Sequence, residues 1–468
     1  MLTPQKNISK KPTHKREKNR SYNEVITLLN VLPKIKYEAA AEQRVKQLDD
    51  LLGNPSKKME FVLVGGTNGK SITVHLAAKL LLEENVKTGA LLSDHILSYN
   101  ERISVNNQNI NNRHFAEISG RVLDTAHANK ICATSYELML VSSLLYFASQ
   151  NVDLAVLEVG LGGRLDATTA LSPQIVAITR ATADDTNLCG NNLDETAFEM
   201  MGVAKPGSWV ISAEQSKLRL QKMKAEAKKR NFKWAMPIRK LAPLPYIYEQ
   251  LYGRSASLAE RIAQIYVEDI KGNFSPFLRG NLLATQKGQR GRPTLEAKRA
   301  AELNPVKTLK NFWTTQFELL RGRFELLEKE KPTILLDNAD NYDAFSNVFL
   351  GLRLLHYRRP ISNIAVILGL KENANVSEIL KLSRYLLKKI SGKLFFVPLP
   401  NDIPCYNPTE LAQSARAINI RAHAFGSLKE AFNAAKNSVD ERNGVVAVTG
   451  SHDLVSDYWK TVREIKKL

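Results

Sequence analysis

The sequence predicts an α/β protein in two parts: a parallel-sheet domain carrying a phosphate-binding loop, followed by a second, smaller α/β domain. Three observations predict it. From Phe61 to about Lys205, short apolar runs alternate with helix-patterned segments, the order that builds a parallel sheet covered on both faces. The run Phe61-Val62-Leu63-Val64 passes directly into Gly65-Gly66-Thr67-Asn68-Gly69-Lys70-Ser71 and then into a helical stretch. Near Phe312 the strand and helix pattern begins again. A chain of 468 residues is also too long for one small core, and about two to four domains is the expectation. The divisions read as a disordered basic tail at 1–20, a first domain at 21–310 and a second at 311–468.

The glycine-rich turn organises the first domain. Gly65, Gly66 and Gly69 permit backbone angles that other residues avoid. Ile72 to Glu83 continues as a helix with Val74, Ala77, Ala78 and Leu81 on one face. Strand, glycine turn and helix together form a phosphate cradle. Backbone N–H groups and the helix N-terminus face the phosphates, Lys70 supplies counter-charge, and the Ser71 hydroxyl reaches Mg²⁺.

The other elements follow in order. Ser21 to Leu32 is a helix with Ser21 as cap, Glu24 three residues on, and a Val25, Leu28, Leu29 stripe. A second helix covers Glu38 to Leu52 and stops at Gly53-Asn54-Pro55. Thr88 to Leu92 is a strand ending in the polar loop Ser93-Asp94-His95, with Asn100-Glu101-Arg102-Ile103 beyond it. Tyr136 to Ser149 is an apolar helix, and Asp153 to Val159 is a buried strand that meets a second glycine loop, Gly160-Leu161-Gly162-Gly163-Arg164. Gln174 to Thr179 is a further strand, followed by Asp184-Asp185. In such a sheet the polar residues at the strand C-termini converge on one crevice. Residues 213–310 hold a basic helix, a proline-containing strip and the polar stretch Gln286 to Pro293, and read as a peripheral insertion and linker. Later strands are Pro332 to Leu336, Ile364 to Gly369, Lys393 to Val397 and Gly444 to Thr449, with helices at Val376–Lys389 and Leu428–Ser438.

Composition narrows the classes. The formal net charge is +19, of which the first twenty residues, with seven Lys/Arg and one Glu, contribute +6. Such a balance suits polyanions: nucleotides, a polycarboxylate substrate or nucleic acid. No zinc finger, RNA-recognition or helix-turn-helix signature supports nucleic acid. No apolar run reaches the roughly 18 residues that span a bilayer. The N-terminus lacks the apolar stretch of a secretory signal. Cys132, Cys189 and Cys405 are widely spaced and fit reduced thiols, so the expected compartment is the cytoplasm.

These motifs resemble the folylpolyglutamate synthase and dihydrofolate synthase family, within the Mur ligase superfamily. The resemblance is carried by Gly66-Thr67-Asn68-Gly69-Lys70, Leu52-Gly53-Asn54-Pro55, Asn100-Glu101-Arg102-Ile103 and the long run Leu157-Glu158-Val159-Gly160-Leu161-Gly162-Gly163-Arg164-Leu165-Asp166-Ala167-Thr168. It runs from about Ser21 to Lys205 and returns, more weakly, at Gly322–Tyr342 and Thr449–Leu454. It implies a P-loop ATPase domain of the Mur ligase central type and a smaller Rossmann-like C-terminal domain, with ATP between them. The implied activity is ATP-dependent ligation of L-glutamate to a folate or pteroate carboxylate through an acyl phosphate, by a cytoplasmic monomer of folate and one-carbon metabolism. The implied cofactors are ATP and Mg²⁺, with a monovalent cation as a further candidate. Lys70 and Glu158 then become catalytic residues. Gly66, Thr67, Asn68, Gly69, Lys70 and Ser71, with Gln286, Arg323 and Asp337, contact ATP. Ser93, Glu158 and Asp185 hold metal, and Tyr136 and Arg164 lie near the pterin.

The pattern also departs from the family. The metal-binding histidine is Asp185 here, an oxygen donor that suits Mg²⁺. Asp-Gly-Ala-His-Asn reads Asp337-Asn338-Ala339-Asp340-Asn341, which sets Asp340 on the phosphate side. The amide element reduces to Gln286, and Glu-Lys-Ala-Gly reads Glu199-Met200-Met201-Gly202. In the family that lysine is carbamylated to give an anionic oxygen ligand, whereas the thioether of Met200 is a soft donor that Mg²⁺ does not choose. Two other readings therefore stand beside the first: a catalytically impaired nucleotide-binding paralogue that acts through a partner or nucleic acid, and a ligase for another acid and amino acid.

Overall fold

The computed structural model describes residues 20–34, 38–182, 189–242, 244–273, 275 and 321–464. Two sheets carry the fold. The first has eight strands, numbered along the chain: β1 (Glu60–Gly65), β2 (Thr88–Leu91), β3 (Ile103–Val105), β4 (Gln108–Asn109), β5 (Leu154–Glu158), β6 (Ile175–Ile178), β7 (Trp209–Ser212) and β8 (Lys233–Ala235). Their spatial order is β4-β3-β2-β5-β1-β6-β7-β8. β1 lies between β5 and β6, parallel to both, and its register sets Val64 beside Glu158 and Gly65 beside Ile178. The phosphate loop, Glu158 and the segment after β6 therefore leave the sheet at one edge, where ligands of such sheets collect.

The second sheet has six strands: β9 (Glu325–Leu327), β10 (Thr333–Leu336), β11 (Ile364–Leu368), β12 (Gly392–Phe396), β13 (Ala422–Ala424) and β14 (Val445–Thr449), in the order β13-β12-β11-β14-β10-β9. The sheets are mostly parallel, as expected, but β2–β3, β3–β4 and β9–β10 pair antiparallel. Of these, β3–β4 is a hairpin with a two-residue turn, Asn106-Asn107, and so short a ribbon leaves little apolar pattern to read in a sequence.

Helices of the first part are α1 (Tyr22–Val31), α2 (Ala40–Leu51), α3 (Lys70–Glu83), α4 (Asn112–Ala128), α5 (Ser135–Ser149), α6 (Leu193–Met200), α7 (Lys217–Lys229) and α8 (Tyr248–Gln264). Those of the second part are α9 (Tyr342–Arg358), α10 (Val376–Lys389), α11 (Pro408–Ala417), α12 (Leu428–Asn437) and α13 (His452–Asp457). The expected capping box forms at α1: the Ser21 N–H donates to Glu24 Oε2 at 2.7 Å and the Glu24 N–H donates to Ser21 Oγ at 3.3 Å. α3 is buried on more than the predicted face, Ile72, Leu76 and Leu80 included, because a second helix covers its outer side.

That helix is α8, and it corrects the reading of 213–310 as peripheral. Within the described part of that segment, β8 extends the first sheet along β7 and α8 lies along α3. Ala256, Ala259 and Ala263 are buried small residues on α8, and small side chains let two helices approach closely; Gly253 on the same helix makes room for Leu241 and Ala242. Small residues lower hydrophobic content, so a core helix here is easily taken for surface. α8 also meets α9, where Leu251 touches Gly351, and one hydrophobic core runs from Val64 and α3 through Ala259 to Phe345 and Val366. A second core under the other face of the first sheet holds Phe115, Met139, Leu157 and Met200.

Cys132, Cys189 and Cys405 form no disulfide. Among the described residues no helix is long and apolar enough to cross a membrane. Enlarging the α8–α3 contact by Ala259→Leu is expected to lower unfolding free energy by about 1–3 kcal/mol, the usual cost of overpacking; urea denaturation of the purified variant measures it.

Candidate active site between the two sheets

A cleft of about 730 Å³ lies between the C-terminal edge of the first sheet and the second domain. The phosphate loop forms its floor. Gly66 has φ +118°, and a Cβ there would stand 2.0 Å from Thr179 Oγ1; Gly69 has φ +88°, with Ser255 Oγ 2.7 Å from the same position. Both glycines are thus demanded by backbone angle and by space. α3 starts at Lys70, so its free N–H groups face the cleft. Lys70 Nζ donates to the carbonyls of Gly66 at 2.9 Å and Thr67 at 3.2 Å. The loop is braced by β6: the Thr67 N–H donates to Arg180 O at 2.9 Å, and the Thr182 N–H donates to Thr67 Oγ1 at 3.1 Å.

Glu158 ends β5 and is buried, yet it lines the cleft. Ser93 Oγ donates to Glu158 Oε1 at 2.9 Å, so two of the expected metal ligands stand together. Asp94 is beside them, open to the cleft. Burial of its surroundings acts to raise it, but His452, Arg102, His95 and Lys70 together hold it below the usual carboxylate range. Tyr136 is buried: its hydroxyl donates to the Glu158 carbonyl at 2.7 Å, and it is not among the residues lining the cleft. Arg164 does not line this cleft either and pairs with Glu199 at 2.9 Å. Met200 is 2% exposed and packs within the second core. Asp184, Asp185 and Gln286 lie outside the described residues. Among the described residues no three His, Cys, Asp or Glu groups are arranged to hold a metal ion.

The opposite wall comes from the second domain. Arg323 and Asp337 both line the cleft. Asp337 Oδ2 accepts from the Phe324 N–H at 2.7 Å and Oδ1 from the Ala339 N–H at 2.9 Å. Burial nevertheless pushes its carboxyl up to about 7, against these hydrogen bonds and Arg323. Burial also raises Glu325 to about 7, against the Gly322 N–H that it accepts at 2.8 Å. Asp340, which the sequence sets against phosphate, is paired with Lys371 at 3.5 Å, and that cation offsets its charge.

Several cleft residues escaped the sequence reading. Gln250, Arg254 and Ser255 arrive on α8, Arg180 follows β6, His452 opens α13, and Asn341 with Asp343 opens α9. The glutamines that the described structure brings to the cleft are Gln215 and Gln250. For Arg180 a signal existed, since it follows a predicted strand at the edge where polar ends gather. For the α8 residues there was none without the helix itself.

No family model matches the chain. A Bacillus subtilis dihydrofolate synthase/folylpolyglutamate synthase is 27% identical over 440 residues, covering 90% of this chain and 94% of that protein. Among solved structures, the Yersinia pestis bifunctional folylpolyglutamate synthase/dihydrofolate synthase with AMPPNP and Mn ion superposes with a TM-score of 0.70 at 20% identity, covering 95% of this chain and 98% of that one. Escherichia coli FolC with DHPP and ADP gives 0.72 at 19%, with the same coverage. Fold and cleft define the class: a P-loop α/β domain joined to a second α/β domain, the two-domain Mur ligase architecture. Within that class the chain is similar to folylpolyglutamate/dihydrofolate synthases over nearly its whole length.

The raised carboxyls give a pH dependence of stability. Asp337, Glu325 and Glu260 are each pushed by burial to about 7, from ordinary values of 3.8, 4.5 and 4.5. The folded chain keeps protons that the unfolded chain releases, so this contribution is complete below about pH 4 and is lost as pH rises through about 7. Urea midpoints are expected to fall between pH 5 and pH 8, and Asp337→Asn is expected to fall less over the same interval.

Proposed function

We propose that this protein is an ATP- and Mg²⁺-dependent ligase that adds L-glutamate to a folate or pteroate carboxylate. The observation that carries the reading is the cleft itself. Lys70 and Ser71 of the phosphate loop, Glu158 with Ser93, and Arg323 with Asp337 face one space from two domains, in a chain similar along its length to the enzymes named above.

The chemistry asks for such an arrangement. A carboxylate is a poor electrophile. Its oxygen first attacks the γ-phosphorus of ATP, ADP leaves, and the acyl phosphate then loses phosphate to the incoming amine. The transferring phosphoryl group carries charge that positioned cations must neutralise. Lys70 and the α3 N-terminus do this from the floor. Ser93 and Glu158, whose hydroxyl and carboxylate meet at 2.9 Å, are hard oxygen donors of the kind Mg²⁺ takes; with Ser71 they would hold that ion. The resemblance adds Asp185 to that set. Tyr136 supports Glu158 from behind, while the resemblance sets Arg164 near the acid substrate, outside the residues that line the nucleotide cleft. The protein acts as a monomer in the cytoplasm.

Burial of Met200 favours one second reading. A side chain packed in the core supplies no ligand on the metal side, which fits a nucleotide-binding relative with little or no turnover. One assay separates the two: purified protein with ATP, Mg²⁺, L-glutamate and dihydropteroate or tetrahydrofolate, read for phosphate and for the amide product. Product formation is expected; ATP binding without phosphate release would favour the second reading. Lys70→Ala is expected to weaken ATP binding by about tenfold or more, as a charged hydrogen-bond donor is lost, and to abolish turnover. Asp185→Ala is expected to raise the Mg²⁺ concentration for half-maximal rate more than Asp184→Ala does, and equal effects would remove Asp185 from the metal set.

A further inference from the structure

The phosphate loop is held from the second domain as well as from its own sheet. Asn68, inside the loop, donates from Nδ2 to Asn341 Oδ1 at 3.0 Å and to Asp343 Oδ2 at 2.9 Å. Asn341 Nδ2 donates back to Asn68 Oδ1 at 3.1 Å. The other carboxylate oxygen of Asp343 takes an ion pair from Arg180, whose carbonyl accepts the Thr67 N–H. Asp343 therefore touches the loop through Asn68 and the loop's brace through Arg180. It stands in the first turn of α9, a helix whose N-terminus Asn341 caps by accepting from the Ala344 N–H at 2.9 Å.

A carboxylate beside a phosphate site opposes the ligand by simple charge. Asp343 lines the same cleft as Lys70 and Arg323, so its presence there calls for a compensating role. The network supplies one. Without Asp343 the Arg180 guanidinium loses its ion-pair partner, and the Asn68 side chain loses one of its two acceptors. A cradle of backbone N–H groups depends on loop shape, so a loosened loop binds phosphate less well even in a more positive cleft.

We propose that Asp343, together with Asn341, is a positioning residue for the nucleotide, fixing Asn68 and Arg180 so that the phosphate loop is complete only when the second domain is docked on it. The proposal rests on the ATP-binding part of the preceding reading and on none of its folate chemistry.

The two effects of Asp343 have opposite signs, and this makes the test decisive. Charge alone predicts that Asp343→Asn tightens ATP binding. Positioning predicts that it weakens ATP binding by about tenfold, the usual scale for losing a charge-assisted contact. Asn341→Ser changes no charge and keeps a cap-competent side chain, but is too short to span to Asn68; it is expected to weaken binding in the same direction by about threefold. Calorimetric titration of each full-length variant with Mg-ATP reads these values, and melting without nucleotide reports whether the fold is intact. In turnover the KM for ATP is expected to rise while that for glutamate stays unchanged. Tighter or unchanged ATP binding in folded Asp343→Asn overturns the proposal; if that variant does not fold, unchanged binding in Asn341→Ser overturns it. A wild-type chain that binds no ATP would instead overturn the nucleotide-site reading, and wild-type binding without amide formation would leave the positioning role standing on the titrations.

Discussion

The close packing of α8 on α3 is the contact on which the rest of the structure depends. α3 carries the phosphate loop at its N-terminus, and its outer face is apolar enough to need cover. α8 gives that cover with alanine and serine, which lets the helices approach until Ser255 stands against Gly69. The same helix touches α9 of the second domain through Leu251. One apolar core therefore passes from the first sheet to the second by way of α8. Because interiors are close-packed and resist change, this continuous core fixes the width of the cleft between the domains.

The charges within that cleft are arranged by partner. Cations come from both sides: Lys70 from the loop, Arg180 from beyond β6, and Arg323 from the second domain. The carboxylates facing them are each held in a distinct way. Glu158 accepts from Ser93, Asp337 accepts two backbone N–H groups, Asp340 has Lys371 and Asp343 has Arg180. This separates acids that are spoken for within the protein from the cations and N–H groups left facing the cleft. An anionic, multiply charged ligand suits such a division.

Position 200 shows how the same backbone can carry a different chemistry. α6 ends at Met200, beside the second glycine loop, where a Cβ on Gly163 would meet the Glu199 carbonyl at 2.0 Å and the Met200 Cα at 2.7 Å. The backbone approach is tight, and a flexible thioether fills the apolar space that remains. Whatever charge the site uses beside Glu158 comes from elsewhere in the chain.

The sequence by itself determined the elements with strong local signals. The strand running into Gly65-Gly66-Thr67-Asn68-Gly69-Lys70 needed only its own apolar run and its glycines, and the Ser21–Glu24 capping box needed only its spacing. Glu158, Ser93 and Asp337 were legible because each sits at or beside the C-terminal end of a strand, and parallel strands bring such ends to one edge, whereas Arg323, ahead of the antiparallel β9, was singled out only by the family resemblance. Tertiary structure alone decided what depends on a second segment. α8 became core rather than periphery because α3 required a narrow partner, which composition registers only as weak hydrophobicity. Tyr136 turned toward the Glu158 backbone because its buried hydroxyl needed an acceptor. Asn341, Asp343 and Arg180 met at the phosphate loop because two distant stretches were docked by a shared core, and no local pattern encodes a contact between residues more than 160 positions apart.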